Sequence, residues 1–451
     1  MFEKIDRYSN YLFKSILLLI IVFISSDIFL VIELSGATIR LSYILFFILF
    51  IFLLLYFIFS KRCVLPNDYS YIPLIFFCYI SFFSSLSSLF QLKSLIYSFW
   101  TVFNLFIIVY LLWFTRNSFN NFLWLIKIYF YSYFVISIIG LYQILLPLLI
   151  GNKTPFVMQW WKEYSLARIN GFSFEPSYFA TYMLMGAFLW FILWLYNSSF
   201  VNYKAIIVIS VCIVVFLSSS RIGWIGLVLI ILYGLMETIK HFSIYKRLSK
   251  QYVRFLVALL VIVLFVIISV LTIINNKDTF KFIFQGTGLF DTSDASSTIR
   301  FERALKTFQV FIDKPMNIFL GVGPGGVGAY MVNYPEKFQI FASNFERLWA
   351  TEPSNITLEL LASVGIIGFI IFVWFIFSIF KRLWKLQRSD FLDSNYRTIC
   401  LALFWGLVIE LFILQFNQNY LRPYLWLHIG ICIVAANNFE NLLVKPIGLT
   451  D

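Results

Sequence analysis

The chain has 451 residues, 61% of them hydrophobic and 12% charged, with a mean hydropathy of +0.88. Soluble domains are closer to half apolar and a quarter charged, so this balance excludes a soluble fold. The apolar residues come in runs of about 20 rather than short alternating segments, which excludes a β-barrel as well. The net charge of +12 reads as the basic bias of loops flanking membrane spans. No basic patch with interleaved aromatics marks a nucleic-acid surface.

Met1–Asn10 is short and mildly basic, and the apolar run after it lacks a small-residue cleavage site. The composition therefore predicts an uncleaved first helix rather than a signal peptide. About twelve spans follow from runs of roughly 20 apolar residues. They lie near 12–33, 41–60, 71–92, 95–114, 123–150, 177–196, 204–220, 221–239, 255–274, 355–380, 397–416 and 424–440. The expected fold is an all-α polytopic membrane protein, one integral membrane domain over 1–451. The five cysteines (Cys63, Cys78, Cys212, Cys400, Cys432) show no metal-like spacing and read as small hydrophobes. The 55 phenylalanines read largely as lipid-facing bulk, with Trp and Tyr favoured at the interfaces.

Orientation follows from two basic loops. His241–Arg254 carries Lys246, Arg247, Lys250 and Arg254, and Lys381–Arg388 carries four more cations. Both are expected to be cytoplasmic. Alternation then places both termini inside. It places Gly151–Pro176, the turn Ser218-Ser-Ser-Arg221 and the long polar stretch 275–354 outside.

That stretch is the one long polar run in the chain. Thr298–Asp313 has helical period, with Phe301, Leu305, Phe308 and Ile312 on one face and Arg300, Arg303 and Lys306 opposite. Pro315 stops it. Such a helix suits the membrane surface or the flank of a helix bundle. The run Gly321-x-Gly323-x-x-Gly326 matches a dinucleotide fingerprint in form. It lacks a βαβ context, so it is expected to be a tight turn whose backbone amides are open to an anion or a sugar.

The candidate chemistry lies in polar residues at the outer ends of spans. Arg168, Arg221 and Arg300 carry planar guanidinium groups suited to bidentate phosphate binding; the alternative is an interfacial arginine whose head reaches water. Arg303, Lys306 and Arg347 fit that alternative better. Glu175 and Glu352 each precede a proline at the start of a span. Either is a helix-end carboxylate favoured by the macrodipole, or a general base for a sugar hydroxyl. Asp27, Lys127 and Glu410 fall within predicted spans, where ionisable groups face a bundle interior. His241 and His428 lie away from the outer candidates, and no metal constellation is present.

Four segments, in this order, carry a resemblance. They are Arg168-Ile-Asn-Gly-Phe-Ser-Phe-Glu-Pro-Ser-Tyr-Phe-Ala180; Ser219-Ser-Arg-Ile-Gly-Trp224; Arg300 with Lys314-Pro315 and Gly321-Val-Gly-Pro-Gly325; and Glu352-Pro-Ser-Asn355 running into Leu358-Glu-Leu-Leu-Ala-Ser-Val-Gly-Ile-Ile-Gly368. With about twelve spans and one long outer loop, the chain resembles the O-antigen polymerase and O-antigen ligase (Wzy) superfamily over roughly residues 160–380. The resemblance implies a GT-C-like glycosyltransferase of the bacterial inner membrane. It would be independent of metals and cofactors, and would draw glycans from undecaprenyl pyrophosphate on the periplasmic face. It implies essential arginines in the outer loops, taken here as Arg168, Arg221 and Arg300, with Glu175 and Glu352 as base candidates. Substrate contacts are assigned to Asn170, Tyr178, Arg303, Lys306, Ser354 and Asn355. Implied partners are membrane lipids, a chain-length regulator and a flippase. Ligases carry a His-Asn pair at the re-entry into the membrane. Here it reads Ser354-Asn355, which favours a polymerase. The rival classes are a ligase acting on another acceptor, and a transporter or flippase of lipid-linked sugars. The missing internal repeat counts against a transporter.

Overall fold

A computed structural model describes residues 2–34, 37–60, 68–116, 118–150, 156–162, 166–261, 295–338, 353, 355–416 and 420–444. Its elements in chain order are α1 (Phe2–Phe23), β1 (Ile32–Leu34), β2 (Ala37–Ile39), α2 (Leu41–Ser60), α3 (Ile72–Leu86), α4 (Gln91–Thr115) and α5 (Phe119–Ile150). Then come β3 (Trp160–Lys162), β4 (Leu166–Ala167), α6 (Pro176–Leu195), α7 (Lys204–Leu217), α8 (Arg221–Tyr245) and α9 (250–261). The polar stretch supplies α10 (Ala295–Ile312), α11 (Pro315–Leu320), α12 (Val327–Asn333) and α13 (Pro335–Phe338). The chain closes with α14 (Ile356–Gln387), α15 (Ser394–Ile413) and α16 (Pro423–Val444).

Backbone polar groups cannot stay unsatisfied in hydrocarbon, so apolar runs of this length must become helices. Among the described residues, eight helices are long and apolar enough to cross a membrane, and three shorter apolar helices accompany them. The predicted run at 12–33 ends early, at Phe23. Asp27 lies beyond it, outside any helix, because its carboxylate is drawn to Arg40 and Arg422. His241 belongs to α8 and not to the loop after it.

The chain divides into two compact units. The first comprises 1–129, 296–392 and 414–451. In it α14 packs on α3, α16 packs on α4, and α11 lies against α14. The glycine run is part of this core. Gly321 has φ +77°, and a Cβ there would stand 2.4 Å from the Ser363 backbone. Gly365 kinks α14 at φ +66°, and a Cβ there would stand 2.2 Å from the Phe319 carbonyl oxygen. Only glycines permit so close a meeting of two backbones. The amides of Val322 and Gly323 donate to the carbonyls of Ala362 and Ser363 at 2.8 and 2.9 Å, and the Gly326 amide donates to the Gly323 carbonyl. The expected open cradle is therefore corrected, because these amides are spent on folding the loop onto α14.

Helix α10 is also turned differently from a surface helix that buries its apolar face. Phe301, Leu305, Phe308 and Ile312 are exposed, while Thr307 and Val310 are fully buried. Val310 joins Val322, Val327, Tyr330, Met331 and Phe338 in one apolar cluster. Below it, Asp313 accepts from the Tyr330 hydroxyl at 2.6 Å and from Lys337. Tyr330 is thus a buried anchor.

The second unit comprises 130–295 and 393–413. Its axis is α6, apolar on every side and buried on nearly every side, as that composition demands. Helices α7, α8 and α15 pack around it.

Candidate active site

In the second unit, the segment before α6 is built as a rigid bracket. Strands β3 and β4 pair antiparallel, which brings the Arg168 amide to the Gln159 carbonyl at 3.0 Å. Gln143 of α5 then fixes the following turn. Its Oε1 accepts from the amides of Asn170 and Gly171 at 3.2 and 2.8 Å, and its Nε2 donates to the Gly171 carbonyl at 2.9 Å. Gly171 has φ +53°, and a Cβ there would strike the Phe179 ring. Asn170 is completely buried. Its Nδ2 donates to the carbonyls of Phe156 and Ser173, and its Oδ1 accepts from the Met158 amide.

This bracket aims Arg168. Nη1 donates to Gln159 Oε1 at 2.7 Å and Nη2 to the Ser219 carbonyl at 3.2 Å. Ser219 adopts φ +52° in the turn that opens α8, whose first residue is Arg221. Glu175 sits just before α6, with its carboxylate accepting from the Ser177 hydroxyl at 3.0 Å rather than capping the helix. Burial draws the Arg168 pKa below the usual guanidinium value, and the nearby Glu175 carboxylate pushes it back up. The structure thus brings together Arg168, Glu175 and the turn bearing Arg221. Tyr178 lies in the first turn of α6, partly exposed.

The first unit holds the other candidates. Arg300 and Arg303 are partly buried and share a face of α10 with Thr307 and Val310, the buried side. Lys306 is also partly buried. Asn355 is the N-cap of α14: its Oδ1 accepts from the Leu358 amide at 2.9 Å and its Nδ2 donates to the Gln415 carbonyl at 2.8 Å. Both ends of its amide are thereby engaged within the protein. Glu352, Ser354 and Arg347 lie outside the described residues.

Sequence reasoning passed over Gln143 and Gln159. The signal in Gln143 was a single amide inside an apolar run, since a polar group in a span must have a partner. It also passed over Arg40 and Arg422. Arg422 precedes Pro423 at the start of a span, the same arrangement that drew attention to Glu175.

The O-antigen ligase family (Wzy_C) matches residues 205–373 of this chain. The match covers less than half of the chain, running from α7 into α14. The matching family is one of glycan-processing membrane enzymes, and the apolar helices of this chain suit a multi-pass membrane protein. The match covers Arg221, Arg300, Arg303 and Asn355, while Arg168 and Glu175 precede it. No curated protein matches the chain. Among the described residues, no group of three or more His, Cys, Asp or Glu side chains can hold a metal.

Proposed function

We propose that the protein is a polysaccharide polymerase of the bacterial inner membrane. It joins glycan repeat units carried on undecaprenyl pyrophosphate, at the periplasmic face, with both termini cytoplasmic. The observation that carries this reading is the setting of Arg168, held by two neutral acceptors beside one carboxylate. These hydrogen bonds fix the direction of the guanidinium beside the candidate base Glu175.

In the reaction, an acceptor sugar hydroxyl attacks the anomeric carbon of the donor. The bond from that carbon to the pyrophosphate oxygen breaks, the pyrophosphate departs with the electron pair, and the hydroxyl proton goes to a base. Attack from the face opposite the leaving group inverts the centre. Arg168 and Arg221 stabilise the departing pyrophosphate. Fixed donors aimed at developing charge are the largest single catalytic contribution in many enzymes. Glu175 takes the proton, with Ser177 holding its carboxylate. In the first unit, Arg300, Arg303 and Lys306 of α10 are the further candidates for binding a negatively charged substrate. The work of Asn170 is to hold the bracket.

Purified protein given lipid-linked repeat units in detergent should yield a ladder of longer lipid-linked glycans without any membrane gradient. Arg168→Ala should leave only the single-repeat substrate, at normal protein levels. A second reading, a ligase, rests on the description of the matching family. It differs in the acceptor, so supplying lipid A-core beside the lipid-linked repeat decides between them. Transport without bond formation would overturn both.

A further inference from the structure

A cavity in the first unit plays no part in the proposed reaction. It measures about 580 Å³, within the range of sites that hold small molecules. Residues of α3, α14 and α16 line it, and the lining passes from apolar to polar. Ile72 and Trp374 form the apolar part, while Ser378, Asn437 and Glu440 form the polar part beside Arg382. Ile72 and Trp374 are exposed large side chains on apolar helices, a surface suited to acyl chains. Trp is favoured at the membrane interface, and the basic segment Lys381–Arg388 follows it on the same helix. This succession of side chains is that of a headgroup boundary.

The polar wall is made of acceptors. Arg382 has nothing left to give a ligand. Its Nε donates to Glu440, its Nη1 to Asp68 and Ser70, and its Nη2 to Asp68 and Glu440, which uses every N–H of the guanidinium. Asp68 is closed as well, with its side chain 6% exposed and the Ser70 amide also bound to it. Glu440 differs. A carboxylate has about four acceptor positions, and Arg382 fills two of those on Glu440, whose side chain is 40% exposed. Ser378 spends its own proton on the Phe375 carbonyl at 2.7 Å, so its oxygen can only accept. Asn437 has an amide oxygen to add. Acceptors grouped around an accessible carboxylate select a cation rich in N–H, and a primary ammonium carries three such donors. Lys381 and Lys385 are exposed and share the face of Trp374 at helical spacing, so a phosphate joined to that ammonium meets cations.

We propose that this cavity is a lipid site that selects the phosphoethanolamine headgroup. Glu440, Ser378 and Asn437 take the ammonium, Lys381 and Lys385 take the phosphate, and Trp374 and Ile72 lie against the acyl chains. The lipid comes from the leaflet that meets the basic segment Lys381–Arg388. The site is independent of glycosyl transfer, and binding alone reads it.

Native mass spectrometry of the full-length protein in detergent tests it. Phosphatidylethanolamine, phosphatidylcholine and phosphatidylglycerol of one acyl composition are titrated separately. Phosphatidylcholine keeps the positive charge but has no N–H to donate, and phosphatidylglycerol brings no cation. Phosphatidylethanolamine should bind about tenfold more tightly than either, the worth of one hydrogen bond to a charged group. Glu440→Gln should bring it down to the level of phosphatidylcholine. Should Glu440→Gln not fold, Ser378→Ala leaves the bonds of Arg382 in place and should narrow the preference about threefold. Equal binding of phosphatidylethanolamine and phosphatidylcholine by the wild type would overturn the proposal, as would tightest binding of phosphatidylglycerol. So would an undiminished preference in folded Glu440→Gln, or in Ser378→Ala where Glu440→Gln fails to fold.

Discussion

Arg168 and Arg382 are both largely withdrawn from water, yet their surroundings are opposite. Arg382, near the end of α14, is caged by carboxylates. Its Nη2 lies 3.0 Å from Asp68 Oδ2 and 2.7 Å from Glu440 Oε2, its Nε donates to Glu440 Oε1, and its Nη1 reaches the Ser70 hydroxyl at 2.7 Å. The charge is fully spent on tying α14 and α16 to the segment before α3. Arg168 is gripped as firmly, but by a side-chain amide oxygen and a backbone carbonyl. That grip fixes the direction of the guanidinium, with the Glu175 carboxylate nearby. The partners of an arginine thus say more about its work than its burial does.

The largest expected effect tests that contrast directly. Arg168→Ala should cost about 3–4 kcal/mol in the transfer barrier, the loss typical of one preorganised donor to developing negative charge. Rates of glycan extension in detergent measure it, and the melting temperature should fall less than in Arg382→Ala. Arg382→Ala should do the reverse, leaving Asp68 and Glu440 facing each other without a cation. About 2–3 kcal/mol of stability should go, below the 3–5 kcal/mol of a fully buried pair because Glu440 is 40% exposed. Activity per folded molecule should hold. Equal effects of the two substitutions on stability would erase the distinction.

Smaller effects sharpen it. Gly321→Ala forces a Cβ against the Ser363 backbone at a left-handed φ, a strain of about 1–3 kcal/mol, visible as a lowered melting temperature. Asn355→Ala removes the cap of α14, worth about 1 kcal/mol. If Asn355 instead contacts substrate, the KM will rise with no change in stability. The smallest effect is with pH. Burial would raise the Asp313 pKa, but its bonds from Lys337 and Tyr330 outweigh burial and hold it below the usual carboxylate value. Its stabilising share is therefore complete above the unfolded value, about 4, and is lost as pH falls through the lower folded value. Pepsin cleavage within 313–338 should rise between pH 5 and pH 3 in the wild type, and less in Asp313→Asn.

The helices were legible because hydrocarbon leaves the backbone no alternative. Eleven of the twelve predicted runs recur as helices among the described residues, and the run at 255–274 lies mostly outside them. The helix expected over Thr298–Asp313 recurs as α10. Less legible was what each polar residue binds. Asn355 and Asn170 carry the side-chain chemistry of a sugar contact, but the same amide serves equally for caps and turns. The glycine run read as an open loop because its partner, Ser363 with Gly365, lies some forty residues further along the chain. The charge clusters of Asp27 and Arg382 join segments hundreds of residues apart, which periodicity cannot register. The Glu175-Pro176 and Arg422-Pro423 steps were visible, though only the first drew attention.

The outward face of α10 has a practical consequence. Four large apolar side chains, each more than two-fifths exposed, make a stripe that water cannot cover cheaply and that a bilayer surface can. The height of Arg300 and Arg303 along the protein is then set partly by where the lipid boundary stands. Reconstitution into bilayers of graded acyl length becomes a dial on those two arginines that requires no mutation. Micelles, with no fixed thickness, leave that dial unset.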